Sequence, residues 1–244
     1  MIRKNYNYGI ELSNSHWWFE GRSKIIENVL NKYMVINTTN HILKKGSGFG
    51  SNLKLLSQFG KLEAFELDQS ARSHAIKKNN INVKYGKLPY DISFNKKYDS
   101  IFLLDVLEHI EEDSESILSM YRALNIKGKL IITVPAFMFL LSKHDVSSRH
   151  KRRYTKHALN QLLEKSGFKI KYSSYFNFFL FPLIFFIRLK NKLIKKIDEK
   201  DFKKENIFIN FILKSIFSFE KVFIPSFFFP FGVSIIDYAK KNET

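Results

Sequence analysis

An α/β domain is the fold class this sequence predicts: a mostly parallel sheet of seven strands with helices on both faces. Three observations predict it. Short apolar runs alternate with amphipathic stretches along the chain. A glycine turn falls between the first such run and a helical stretch. One run, residues 98–104 (YDSIFLL), is apolar almost throughout, as a strand buried on both faces has to be.

The elements follow in order. Ile25, Ile26, Val29 and Leu30 recur at helical spacing, so residues 8–33 read as a helical start. Within it, Ser15-His16-Trp17-Trp18-Phe19 forms an aromatic cluster with Arg22 behind it. The cluster can pack as a cap on the core or close as a lid over a site. His41-Ile42-Leu43 opens the first strand, Gly46-Ser47-Gly48-Phe49-Gly50 turns the chain, and Leu53, Leu55 and Leu56 open a helix. Residues 62–66 make a second strand ending in acid, 70–78 its helix, and 83–85 a third strand. After the fourth strand a helix is expected to open at Asp105, and a second amphipathic helix to cover 114–124. Residues 130–134 (LIITV) form a fifth strand stopped by Pro135. Thr155 suits the N-cap and Gly167 the C′ position of a helix over 155–166. Strands over 168–172 and 232–239 complete the sheet.

The chain accordingly divides into an N-terminal helical cap (1–40), a core (41–175), an insert (176–231), and a final strand with a tail (232–244). The insert is too long for an ordinary connection and carries most of the 25 Phe residues. None of its apolar runs reaches the roughly 20 residues that span a bilayer. With lysines flanking them, the runs suit an interfacial helical hairpin; a helical subdomain buried on the core or in a dimer interface is the alternative.

The formal net charge is +17. Such a balance attracts phosphate-rich surfaces, although abundant Lys, Asn, Ile and Phe also follow from AT-rich coding. There is no cysteine, which excludes disulfides, thiolate metal sites and a cysteine nucleophile and is compatible with a reducing compartment. Residues 1–21 contain no apolar signal-peptide core, so a cytoplasmic location is expected, with the insert at the inner face of a membrane.

The chemistry-bearing residues start with the glycine turn. Glycines permit tight turning and close approach of a ligand to backbone N–H groups. The third glycine, Gly50, comes one position too early for the dinucleotide fingerprint, a spacing that favours S-adenosylmethionine (SAM). Glu66, at the end of the second strand, can accept both ribose hydroxyls, with Asp68 as the fallback. His109, His144 and His150 are the candidate general bases, because imidazole titrates near neutrality. Asp145, beside His144, is a possible partner. Arg149, Lys151, Arg152 and Arg153 form the sharpest basic cluster, suited to a phosphate or carboxylate or else a solvated face. No metal site is expected, since the histidines are scattered and lack ligand spacing.

Taken together, these pieces resemble the Rossmann-like class I SAM-dependent methyltransferases of bacteria, the type 11/12 group related to ubiquinone-pathway O-methyltransferases. The resemblance is carried by His16-Trp17-Trp18-Phe19 with Arg22, the glycine turn, Glu66-Leu67-Asp68, and Tyr98-Asp99-Ser100-Ile101-Phe102 running into Asp105-Val106-Leu107-Glu108-His109. It continues through Thr133-Val134-Pro135-Ala136, His144-Asp145, His150-Lys151-Arg152-Arg153-Tyr154-Thr155, Gly167-Phe168 and Gly232-Val233-Ser234. It implies that Gly46, Ser47, Gly48 and Gly50 hold the methionine part of SAM. Glu66 and Leu67 would border the ribose, Lys87 and Leu88 after Gly86 the adenine, and Asp105 the transferred methyl. Trp18, Arg22, Asp145, Arg152, Arg153 and Tyr154 would line the acceptor side.

The sequence departs from that pattern twice. Lys44 stands where an acid usually precedes the first glycine, and Lys87 where an acid often receives the adenine amine. A lysine near a cationic sulfonium is unfavourable by Coulomb's law. The expected function is SAM-dependent O-methylation of a lipid-linked, glycan-related or quinone-like acceptor. Two alternatives stand beside it: a non-catalytic module of the same fold that binds a membrane or partner, and a nucleic-acid methyltransferase. The second lacks an Asn/Asp-Pro-Pro-Tyr-like motif after the fourth strand, so nucleic acid is not the expected partner.

Overall fold

The computed structural model describes residues 10, 15–91, 96–193 and 206–242. Apart from Ile10, the expected helical start over 8–14 lies outside the described residues, as do residues 194–205 of the insert and the side chain of His144.

In chain order the elements are α1 (Trp17–Tyr33), β1 (His41–Lys45), α2 (Leu53–Leu56), β2 (Lys61–Glu66), α3 (Gln69–Asn79), β3 (Val83–Tyr85), β4 (Tyr98–Leu104), α4 (Asp113–Ala123), β5 (Leu124–Pro135), α5 (Lys143–Ser147), α6 (Lys156–Lys165), β6 (Phe168–Phe176), α7 (Phe181–Leu193), α8 (Ile207–Phe219) and β7 (Ser234–Lys241). The seven strands form one sheet in the order β3-β2-β1-β4-β5-β7-β6. All neighbours are parallel except β7, which runs antiparallel between β5 and β6. The strand order reverses between β1 and β4, and a crevice opens beyond the carboxyl ends of strands at such a point.

The expected sheet is present, with shifts at its edges. β4 sits centrally, Ile101 pairing with Leu43 on one side and Leu130 on the other, and burial on both flanks explains its unbroken apolar run. Thr155 caps α6 by accepting from the Ala158 N–H, and Gly167 beyond it takes φ +95°. The helix expected to open at Asp105 does not form. Asp105 takes φ +53° instead, and only a 3₁₀ turn over Leu107–His109 precedes α4. The fifth strand begins at Leu124 rather than residue 130, the sixth runs through Phe176, and the helix after the glycine turn is one turn long.

Part of the insert packs on the core and part of it is left uncovered. The inner edge of α8 docks on α1. Phe217 is buried there, packs on the Trp17 ring at a centroid distance of 5.8 Å, and fills the space a Cβ on Gly21 would need. Asn210 accepts from the Trp17 N–H, and Lys214 pairs with Glu20 at 3.1 Å. The outer edge is open: Ile207, Phe208 and Phe211 are 89%, 69% and 60% exposed. α7 buries none of its residues and leaves Leu183, Phe186 and Leu189 exposed. No helix among the described residues is long and apolar enough to cross a membrane.

Candidate active site

Beyond β1 the chain turns through Gly46, Gly48 and Gly50, all at positive φ. Two of these glycines are also crowded. A Cβ on Gly46 would come within 2.5 Å of Val106, and one on Gly50 within 2.4 Å of Asn79. A Cβ on Gly48 would meet nothing within 4 Å, so the crest of the loop faces open space. Ser47 fastens the loop to β2, its N–H and hydroxyl both donating to the Phe65 carbonyl at 3.0 and 3.1 Å.

Glu66 points at this loop. Its carboxylate accepts the Gly48 N–H at 2.7 Å and the Asp68 N–H at 3.0 Å. Each oxygen keeps a further lone pair for an incoming hydroxyl. Asp68 caps α3 through the Ala71 N–H, so its carboxylate serves the helix. Leu67 is exposed.

After β3 come Gly86, Lys87 and Leu88. Leu88 is buried, whereas Lys87 is exposed, with its N–H bonded to the Asp91 carboxylate at 2.9 Å. An acid therefore does reach the loop after β3, four residues later than expected. Beneath it lies Lys45, a buried residue to which the sequence reading gave no role. Its ammonium donates to the Asp91 carbonyl and sits 4.0 Å over the Phe65 ring. Burial lowers its pKa to about 8, with the Asp91 charge opposing.

Lys44 does not fill the space over Gly48. Its ammonium folds back onto the loop's own carbonyls, donating to Lys45 at 2.7 Å and Gly46 at 2.6 Å. Burial, then the nearby Arg22 charge, lowers its pKa to about 7, against the raising effect of Glu66, Asp105 and Glu108.

Asp105 closes the other side of the crevice. Arg22 pairs with it at 2.8 Å and donates to Thr133 Oγ1 at 2.8 Å, while Thr133 donates to Asp105 at the same distance. Trp18 lies over the Arg22 guanidinium, 5.1 Å from ring centroid to Cζ. The aromatic cap thus reaches the end of β4 through Arg22, and Thr133, another residue given no role above, completes the triangle.

Half of the basic cluster is turned inward, while Arg149 and Lys151 are exposed. Arg153 is buried, bonded to the Ala136 carbonyl at 3.0 Å and to both Asp145 oxygens at 2.7 and 2.9 Å. Arg152 pairs with Asp113 at 2.7 Å, and the Tyr154 hydroxyl donates to the same carboxylate at 3.0 Å. Of these four predicted substrate-side residues, Asp145 and Arg153 satisfy each other, and Arg152 and Tyr154 are both taken up by Asp113. Buried arginines select internal carboxylates as readily as ligands, which sequence cannot distinguish.

Two of the candidate histidines come together, contrary to the sequence expectation. The rings of His109 and His150 meet edge to face at 4.6 Å. His150 Nδ1 lies 2.9 Å from Asp145 Oδ1. Desolvation, then the neighbouring His150, lowers the His109 pKa to about 4, which leaves its imidazole neutral. His144 lies on α5 in the same segment. Glu108, to which no role was given, is fully buried between these groups and Asp105, and burial raises its pKa well above the usual carboxylate range.

A glycine crest at a strand-order reversal, with an acid at the end of each flanking strand, defines a class I SAM-dependent methyltransferase fold. The chain belongs to the family of methyltransferase domains, whose model matches residues 19–173. It is an enzyme of that family, and SAM is its cofactor. No curated protein matches the sequence. Among solved structures, the fold is similar to phosphoethanolamine N-methyltransferase 2 of Haemonchus contortus, with 20% identity, a TM-score of 0.56, and coverage of 89% of this chain and 52% of that one. It is also similar to a TehB-like SAM-dependent methyltransferase of Corynebacterium glutamicum (14%, 0.51, 91% and 87%) and to the [4+2]-cyclase SpnF (14%, 0.55, 91% and 82%). At such identities the likeness is one of fold.

Proposed function

We propose that this enzyme transfers the methyl group of SAM to an oxygen of a lipid-linked or quinone-like acceptor at an anionic membrane surface. The relation to ubiquinone-pathway O-methyltransferases, drawn from the motifs, is part of this reading. SAM supplies an activated methyl on a good leaving group, so the protein's task is alignment and proton removal. Glu66 holds the ribose hydroxyls, the crest at Gly48 admits the amino-acid part, and Gly86, Lys87 and Leu88 flank the adenine. Asp105, kept in place by Arg22 and Thr133, borders the reacting centre. The neutral His109, beside His150, removes the acceptor's proton.

Lys44 gives this assignment a pH signature. Protonated, it repels the sulfonium; neutral, it does not. SAM affinity is therefore expected to rise as pH increases through about 7, and Lys44→Met should flatten the profile. Calorimetry across that range checks this, and a flat wild-type profile counts against it.

The single observation behind the membrane reading is the row of contacts from site to surface: Asp105 to Arg22, Arg22 to Trp18, then Trp17 to Phe217 on α8, whose outer edge is open Ile and Phe. Apolar side chains with flanking lysines suit an anionic interface. Label from methyl-labelled SAM should enter the lipid extract of the source cells, and Phe208→Ser with Phe211→Ser should abolish co-sedimentation with anionic vesicles. Label confined to water-soluble products, or vesicle binding untouched by both changes, would refute the reading.

A further inference from the structure

We propose that α7 and the loop after β5 form a second lipid-docking surface, separate from the outer edge of α8, that seats the acceptor side of the enzyme on an anionic bilayer. It extends the membrane reading of α8 and rests on that reading for the acceptor, but not for the contact itself.

α7 is amphipathic in an inverted sense. Phe181, Ile184, Phe185, Arg188 and Asn191 share one face at helical spacing and are half-buried. The face turned to the protein therefore carries the helix's arginine and asparagine. Arg188 donates to the Leu140 carbonyl and lies 3.8 Å from Asp145, while Phe185 meets Phe139 at 5.9 Å and Phe181 meets Phe137 at 6.1 Å. The opposite stripe, Leu183, Phe186 and Ile187, is exposed, Phe186 at 65%. A helix that faces water keeps its polar residues on the outside.

The neighbouring loop continues the apolar surface. Met138, Phe139 and Leu141 are exposed, and ring contacts from Phe139 to Phe185 and from Phe185 to Phe186, at 5.9 and 5.6 Å, join the loop to the α7 stripe. Contiguous apolar side chains, unlike scattered ones, mark an interaction surface. Toward α8 the surface continues through Phe179 and Phe219, both exposed, whose rings meet at 6.1 Å. β5 and β6 both run antiparallel to β7 and so in the direction of β4. The loop after β5 and α7 after β6 therefore stand at the end of the sheet where Asp105 lies.

Charge decides the partner. Residues 137–143 and 181–193 contain no acid, and Lys143, Lys190 and Lys192 are exposed beside the apolar side chains. In a two-fold contact both faces would bring these cations and no counter-charge, whereas an anionic bilayer supplies it. Lys190 prolongs the stripe of Leu183, Phe186 and Ile187 and lies about 6 Å beyond Phe186 along the helix axis. The first two turns can thus enter the acyl boundary while the ammonium groups stay among the headgroups, at the depth an interfacial helix reaches.

Because the chain has no cysteine, single environment-sensitive fluorophores can be placed in the full-length protein through Phe186→Cys, Phe208→Cys and Val35→Cys. Val35, exposed in the segment that leads into β1 at the opposite end of the sheet, is the control. With phosphatidylglycerol vesicles, the labels replacing Phe186 and Phe208 should shift to the blue and be quenched by spin-labelled lipid, and the label replacing Val35 should do neither. Lys190→Gln with Lys192→Gln should weaken vesicle binding roughly 30-fold, at about 1 kcal/mol for each lysine. No shift at Phe186 overturns the proposal, and a shift at Phe208 in that case leaves the α8 reading standing. A shift at Phe186 alone supports the proposal and removes the α8 edge from the contact. A Phe186 shift that grows with protein concentration and needs no lipid assigns the face to a second copy and overturns the proposal. An equal shift at Val35, or unchanged vesicle affinity in the lysine variant, does the same.

Discussion

Replacing Glu66 with alanine is expected to weaken SAM binding about 30- to 150-fold. The ribose hydroxyls would lose two hydrogen bonds to an ionised acceptor, together about 2–3 kcal/mol, and each 1.4 kcal/mol is a factor of ten. The change also removes the acceptor for the Gly48 and Asp68 N–H groups, so the loop keeps only the Ser47 bonds to Phe65 as its tie to β2. Glu66→Gln keeps the shape and one carbonyl oxygen and should fall between. Calorimetry with SAM and with its demethylated product reads the effect. Asp68→Ala is the control: it removes the cap of α3 and should lower stability by about 1 kcal/mol while sparing affinity. Full SAM affinity in the Glu66→Ala protein would remove the ribose assignment.

Asp145→Ala is expected to produce the largest loss of stability, about 3–5 kcal/mol, because it strands a buried guanidinium. For a chain of this size that corresponds to a melting temperature lower by roughly 6–20 °C. Desolvation alone would raise the Asp145 pKa, but His150, Arg153 and Arg188 overcome it and hold the carboxyl well below its usual range. A depressed carboxyl pKa contributes stability that is present above the unfolded-state value and is lost as pH falls through the folded value. Wild-type protein should therefore lose stability on acidification below the ordinary carboxylate range, and the Asp145→Ala protein should show a shallower slope there. Urea unfolding over that range checks both statements. A variant within 1 kcal/mol of wild type would mean that Arg153 finds water or another partner.

Several features were legible because local chemistry fixes them. The apolar run of β4 can be satisfied only between two other strands, and there it lies. Thr155 and Gly167 mark the ends of α6 through capping, a short-range effect. Glu66 could be singled out because βα geometry puts the last residue of β2 beside the loop after β1. Asp105 defeated the local reading. Its acid-rich surroundings suggest a helix start, yet bonds to Arg22 and Thr133, both distant in sequence, hold it at positive φ. The insert resisted for a related reason. Apolar residues fall on more than one side of α8, and only docking against Trp17 and Gly21 decides which edge is hidden.

By itself, the sequence determined the layer architecture, the glycine crest and the acid that faces it, since periodicity, turn chemistry and strand-end position act over a few residues. Tertiary structure alone decided where the charges go. It folded the Lys44 ammonium onto its own loop, closed Arg152 and Arg153 on internal carboxylates, and brought His150 from a distant segment against Glu108 and His109. A charged side chain in a buried setting takes whichever partner the fold brings within a few ångströms, and electrostatic pairing carries no sequence period from which that partner can be read.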